Sequence, residues 1–233
     1  MKFAYPTHVG TITNRYKRFL SDIKLASGQE VNAHVPNTGS MKTCWEPGWK
    51  VLVTHNDDPK RKMKYTLEMT HNGNTWICVN TAMTNKLVKE ALDNDVIIEL
   101  QGYELIKPEK KVKDSRIDFF LAHHHSQPDC YVEVKNVTLK AEGSLALFPD
   151  AVSTRGQKHL KDLMELKEEG HRAVMLYVIN REDVDTFAPA ENIDPKYAQL
   201  LKQAINKGVE ILCYQCSLSE KEIVLKKKIK VDL

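Results

Sequence analysis

The chain has 233 residues, 42% of them hydrophobic and 28% charged, which is enough apolar material for one large core or two small ones. Its net charge of +3 is uneven: residues 1–80 carry 11 Lys/Arg against 6 Asp/Glu, and the remainder carries 23 against 25. The basic first third points to a polyanionic partner. No apolar run approaches the ~20 residues that span a bilayer. The N-terminal Met1-Lys-Phe-Ala-Tyr-Pro also lacks a signal-peptide core, so the expected compartment is the cytoplasm, with no membrane partner.

Residues 1–80 read as short strands and turns. Gly10–Leu20 alternates imperfectly, and Val31–Val35, Val51–Thr54, Lys64–Met69 and Trp76–Val79 are further strand candidates. Turns fall at Pro36-Asn-Thr-Gly39, Glu46-Pro-Gly48 and Asn72-Gly73. About five short strands without a helix fit an OB-type barrel, a fold that commonly binds single strands. Within it, Tyr16, Lys17, Arg18 and Phe19 mix cations with aromatics, the combination that contacts phosphates and stacks on bases. Trp45 and Trp49 are either stacking platforms or loop packing.

Near residue 80 the pattern changes, and residues 81–233 read as a second domain. Met83, Leu87, Val88, Ala91 and Leu92 carry helical spacing over Thr81–Leu92. Val96–Leu100 reads as a strand and Lys107–Lys113 as a basic connector. Two strands around Ser115–Leu121 and Tyr131–Leu139 follow, joined through His123-His-His125, which reads as a solvated turn. A helix runs from Arg155-Gly156 to about Glu169 and is stopped by Gly170. Ala173–Ile179 is a near-continuous apolar strand, as expected where both faces are buried. A helix over Pro195–Lys207 and a strand over Val209–Tyr214 complete a mixed α/β sheet, with the Lys226–Lys230 tail as a solvated edge. The five cysteines are odd in number and scattered, as in a reduced compartment. Cys213-Tyr-Gln-Cys216 has a metal-pair spacing, but no second pair follows and the run reads as a buried strand.

The chemistry concentrates in Ser115–Leu139. Asp118 sits among Ile117, Phe119, Phe120 and Leu121, and Glu133 and Lys135 sit among Val132, Val134 and Val137. Residues two apart on a strand face one side, so Glu133 and Lys135 project together, and a hairpin brings Asp118 beside them. Two nearby carboxylates repel unless a proton or cation intervenes. Hard oxygen ligands of this kind suit Mg²⁺ or Mn²⁺, with the Val134 carbonyl as a third ligand and Lys135 beside an attacked phosphate.

Asp118 with Glu133-Val-Lys135 resembles the PD-(D/E)XK nuclease-like superfamily, with Ser115-Arg-Ile before the Asp in place of its Pro-Asp pair. Arg15-Tyr-Lys-Arg-Phe, His34-Val-Pro-Asn-Thr-Gly, Ser115-Arg-Ile-Asp-Phe, Glu133-Val-Lys-Asn-Val-Thr-Leu, Phe148-Pro-Asp-Ala-Val and Arg155-Gly-Gln-Lys-His-Leu resemble, in order and over nearly the whole chain, the sugar fermentation stimulation protein A (SfsA) family. The resemblance implies an N-terminal OB-fold domain over 1–80, a nuclease-like domain over 81–233, and DNA as partner, with RNA as the alternative polymer. It implies catalytic roles for Asp118, Glu133 and Lys135, with Glu90 as a further acid. It also extends the nucleic-acid-binding set to Arg15, Tyr16, Lys17, Arg18, His34, Asn37, Arg155 and Lys158. Two functions follow as expectations: a metal-dependent nuclease, or a non-catalytic DNA-binding regulator of sugar utilisation on the same fold.

Overall fold

The computed structural model describes all of residues 1–233. The first strands are β1 (Thr7–Tyr16), β2 (Leu20–Leu25), β3 (Glu30–His34), β4 (Lys50–His55), β5 (Tyr65–His71) and β6 (Trp76–Cys78). β1 pairs with both β2 and β4, β2 with β3, and β4 with β5. A short parallel pairing of β3 with β5 then closes a five-stranded barrel. The barrel encloses its own apolar cluster of Ile12, Ile23, Ala33, Val51, Val53, Leu67 and neighbours. The single imperfect strand expected over Gly10–Leu20 is two strands, because Lys17 and Arg18 both adopt positive φ and make a tight turn. β2 was invisible as a separate strand because that turn contains no glycine.

The second domain opens with a one-turn 3₁₀ helix, Thr81–Met83, and α1 (Thr84–Asp93). Next come β7 (Tyr103–Val112), β8 (Ser115–His124), β9 (Cys130–Val137), β10 (Leu139–Lys140), β11 (Leu145–Phe148), α2 (Thr154–Glu168) and β12 (Arg172–Ile179). β13 (Thr186–Pro189), α3 (Pro195–Asn206), β14 (Glu210–Leu218), β15 (Ile223–Lys228) and β16 (Lys230–Val231) complete the chain. The main sheet runs β15-β14-β12-β9-β8-β7; β7, β8 and β9 form an antiparallel meander, and β9, β12 and β14 lie parallel. Together, helix, meander, helix and parallel strand make a mixed-sheet α/β domain behind the OB barrel. No helix is long and apolar enough to cross a membrane.

Two expectations in this domain are corrected. Val96–Leu100 is not a strand: it is a turn and a 3₁₀ helix over Ile98–Leu100, in which Ile97 and Leu100 reach the core three residues apart. The apolar run there follows a helical rather than a two-residue period. Lys107–Lys113 is not a connector but most of the second half of β7, which is the sheet edge. Pro108 is tolerated there because one side of the strand pairs with nothing.

The two faces of the main sheet carry separate cores. One packs α2 and α3 through Leu160, Leu163, Tyr197 and Leu201. The other packs α1 and also includes Leu52, Met69, Trp76 and Cys78 from the barrel. The domain seam is therefore continuous apolar core. Arg181, one of the largest fully buried side chains, sits at that seam. It chelates Asp183 at 2.6 and 2.8 Å and donates to the carbonyls of Thr43 and Thr138. Cys213 and Cys216 are both buried but belong to opposite faces of β14, so their spacing brings no pair together. The histidine run is not wholly a turn: His123 and His124 end β8, His124 pairing with Tyr103, and only His125 enters the turn, where His124 Nδ1 accepts from the amides of Ser126 and Gln127.

Candidate functional site

The β8–β9 ladder is short. It holds from Leu121↔Cys130 to Phe119↔Val132 and then stops, so from Glu133 onward β9 has no β8 partner. The strands fork, and Asp118 lies in the fork. Strict alternation would put Ile117 and Phe119 on one face, yet Ile117 packs with α2 and Phe119 with α1. β8 turns over between them, and the Asp118/Glu109 pair drops out of its ladder with β7. That local twist aims Asp118 across the fork, where Oδ2 accepts the Val134 amide at 2.8 Å and Oδ1 accepts Asn85 of α1 at 2.7 Å. N–H and C=O of one strand residue leave on the same side, so the Val134 carbonyl faces the same opening.

Glu133 is buried. Its Oε1 accepts Lys135 Nζ at 2.5 Å and hydrogen-bonds His159 Nδ1, and Lys135 Nζ also lies 3.0 Å from that ring nitrogen. Its Oε2 is buried and has no partner. Two further buried atoms share that condition, Arg15 Nε and Asn180 Oδ1, but neither belongs to a carboxylate. Burial, then the charge of Glu133, push the Asp118 carboxyl above its ordinary value. Burial alone would raise Glu133 too, but the hydrogen bond from His159 and the charge of Lys135 outweigh it and hold that carboxyl low.

These groups floor a polar cleft of about 440 Å³ between barrel and sheet. The barrel contributes the Asn37-Thr-Gly39 turn, and the far wall carries Asp150 and Arg155. Asp150 Oδ2 accepts the amide and hydroxyl of Ser40 at 3.0 and 2.9 Å. A Cβ on Gly39 would stand 2.8 Å from that oxygen, so a larger residue there would displace the Asp150 carboxylate.

The expected residues divide accordingly. Asp118, Glu133, Val134, Lys135, Asn37 and Arg155 all line the cleft. Glu90 does not: its carboxylate binds the N-terminal ammonium at 2.8 Å, and the α1 residue that reaches Asp118 is Asn85, more than one turn earlier. Lys158 turns away to Ser115 and Asp162. Arg15 is spent internally, its Nη2 donating to the carbonyls of Arg18, Asn37 and Gly39. The Tyr16 hydroxyl donates to Asp22, Lys17 and Arg18 form the exposed β1–β2 turn, and His34 ends β3 without lining the cleft. Trp45 and Trp49 pack against the barrel core.

Sequence reading missed His159, Asn85 and Asp150. His159 had a legible signal, since it stands four residues after Arg155 and so shares its helix face; Arg155 Nε lies 3.5 Å from its Nε2. Asn85 and Asp150 gave none, because only the fork and the domain seam bring them in. No third Asp, Glu, His or Cys joins the carboxylates in a ligand cluster. The donor set is two carboxylates, one with a bare buried oxygen, and a carbonyl. That set fits a small hard cation that keeps several waters.

An OB barrel joined through a shared core to a mixed sheet, with a polar cleft between them, defines a two-domain α/β protein. Residues 13–79 match the family model described as the SfsA N-terminal OB domain, and residues 82–222 match the sugar fermentation stimulation protein RE domain. The sugar fermentation stimulation protein homolog of Geotalea uraniireducens is 47% identical over 234 residues, covering 100% of both chains. That of Pseudoalteromonas atlantica is 47% identical over 98% of each. Among solved structures, Pyrococcus furiosus SfsA in complex with Ca²⁺ superposes with a TM-score of 0.88 at 28% identity, over 100% of this chain and 98% of that one. The chain belongs to the SfsA family.

Proposed function

We propose that the protein binds nucleic acid, DNA in the first instance, in the interdomain cleft, and hydrolyses a phosphodiester there with a divalent cation held by Asp118, Glu133 and the Val134 carbonyl. The observation that carries this reading is Glu133 Oε2, a buried carboxylate oxygen with no partner, in the same cleft as a second carboxylate. A buried acceptor oxygen left without a donor is costly even when the other oxygen of its carboxylate is paired, unless something positive completes it. The P. furiosus relative, described in complex with Ca²⁺, supports a divalent cation here, with Mg²⁺ or Mn²⁺ as the working ion.

When bound, the cation supplies Lewis-acid polarisation of a phosphate oxygen and acidifies a water. The chain's own residues do the rest. Asn85 and the Val134 amide fix the rotamer of Asp118, and His159 with Lys135 fixes that of Glu133. Both carboxylates are therefore oriented before anything binds. Arg155, in the first turn of α2, adds charge where a helix N-terminus already favours phosphate. Lys135 is placed to offset charge developing on the attacked phosphate.

The test is cleavage of single- and double-stranded DNA with Mg²⁺ or Mn²⁺, wild type beside Glu133→Ala. Cleavage that falls at least ~100-fold in the variant supports the reading; equal cleavage by both proteins sinks it. One observation favours a second reading, a DNA-binding regulator without turnover: the Lys135 ammonium is already committed to Glu133 and His159. DNA bound but uncut under either metal would select that reading, and RNA in parallel would decide the polymer.

A further inference from the structure

Asp118 and Asn85 line two cavities, not one. On one side lies the interdomain cleft. On the other, a groove of about 720 Å³ runs between α1 and the β7–β8 edge, past Lys86, Lys89, Pro108 and Phe119. Asp118 thus stands on a saddle, with open space before and behind, while Glu133 lines the cleft side alone.

The charges of the second groove are unequal in availability. Glu90 is neutralised by the N-terminal ammonium, Asp93 by Lys89 at 2.5 Å, and Glu109 by Arg116 at 2.9 Å. Lys86 takes part in no ion pair, which leaves it as the uncommitted cation of a groove whose acids, Asp118 apart, are satisfied. On the cleft side Arg155 plays the same part. A cation on each side of an acidic centre offers a contact to phosphates both before and after it along a chain, which a single terminal phosphate would not need. The wall of the cleft opposite the sheet is an OB barrel, a fold that commonly takes single strands, which favours one strand over a duplex.

From this placement we infer that a single nucleic-acid strand passes over Asp118 from the interdomain cleft into the α1–β7 groove, so that nucleotides lie on both sides of the centre and cutting is internal. The inference rests on the nucleic-acid reading above and deepens it. In the reaction a water oxygen bonds to phosphorus, one P–O ester bond breaks, and the leaving oxygen takes up a proton. No oxidant or reductant is consumed.

The experiment compares circular single-stranded DNA, which has no ends, with the same sequence made linear, using the full chain with Mg²⁺ or Mn²⁺. Binding of both to Glu133→Ala is measured in parallel by fluorescence anisotropy. Circle and line cut at rates within about threefold support the path. A line degraded from its ends with an intact circle overturns it while leaving the nuclease reading standing. If neither is cut, the catalytic reading falls and the path is judged on binding. Lys86→Glu should then weaken circle and line alike by about threefold, against less than half that for Lys226→Glu on the distant β15 edge. Equal affinity in both lysine variants, or no binding of the circle, removes the inference.

Discussion

The two walls of the cleft spend their polar groups differently. On the barrel side, the Arg15 guanidinium is given to three backbone carbonyls, and Asn37 to the Gly39 amide and the Val79 carbonyl. On the sheet side, Asp118 and Glu133 line the same cleft and one carboxylate oxygen is bonded to nothing. The barrel wall spends its cation on structure, with only Arg15 Nε left over, whereas the sheet wall leaves a carboxylate oxygen unsatisfied beside a second carboxylate. Sites that keep such groups give up stability for function. The barrel sets the shape of the cleft, and the sheet carries whatever chemistry occurs in it.

The largest expected effect lies where the walls are joined. Arg181→Met strands the Asp183 carboxylate and two carbonyls at the seam, and should cost about 4 kcal/mol in urea-induced unfolding. It should unfold barrel and sheet in one transition, because they share a core; two separated transitions would show the domains to be independent. Next, Arg15→Met leaves three carbonyls of the barrel wall without their donor, and should cost about 2 kcal/mol. Its Mn²⁺ affinity by calorimetry should stay within about twofold of wild type, since no barrel residue is among the proposed ligands. A fall of tenfold would place chemistry on the barrel wall and break the contrast.

Asp118→Asn should act in the opposite direction. With its folded pKa raised, the ionised carboxyl is disfavoured by folding, so stability is highest at low pH and falls as pH rises from the ordinary carboxylate range through the raised value. The isosteric amide removes that loss. The variant should be about 1 kcal/mol more stable above that window, a gain of roughly 2–4 °C in Tm. It should equal wild type at acid pH and lose Mn²⁺ binding. A variant less stable than wild type at every pH would mean that Asp118 is structural. The smallest effect sharpens the picture of the shared core: burial pushes the Cys78 and Cys130 thiols up to about 12. Both should resist iodoacetamide at pH 8 in the native protein and react only on unfolding.

Much of this was readable in advance where residues act through short-range periodicity. Ala173–Ile179 is buried on both faces as its unbroken apolar run required. Glu133 and Lys135 meet because two residues along a strand return to the same face. The misreadings share one cause, a local rule overridden by distant packing. Val96–Leu100 has the composition of a strand but packs against α1 and the sheet as a turn of helix. Lys107–Lys113 has the composition of a linker but pairs with β8. Glu90 occupies a plausible acidic position, yet helical phase carries it more than a turn past Asn85, to the N-terminal ammonium.

Residue order along the chain therefore specified the buried strands β8, β9, β12 and β14, the change from an all-β to a mixed α/β pattern near residue 80 and the chemical identity of Asp118, Glu133 and Lys135, because alternation and side-chain type are local properties. It could not specify the fork between β8 and β9, the reversal of β8 between Ile117 and Phe119, or the arrival of His159, Asn85 and Asp150. Those depend on where a ladder stops and on which helix packs over the gap. They are settled when two cores close on the two faces of one sheet and the barrel docks on it, which brings together groups 110 residues apart in the chain, as Ser40 and Asp150 are.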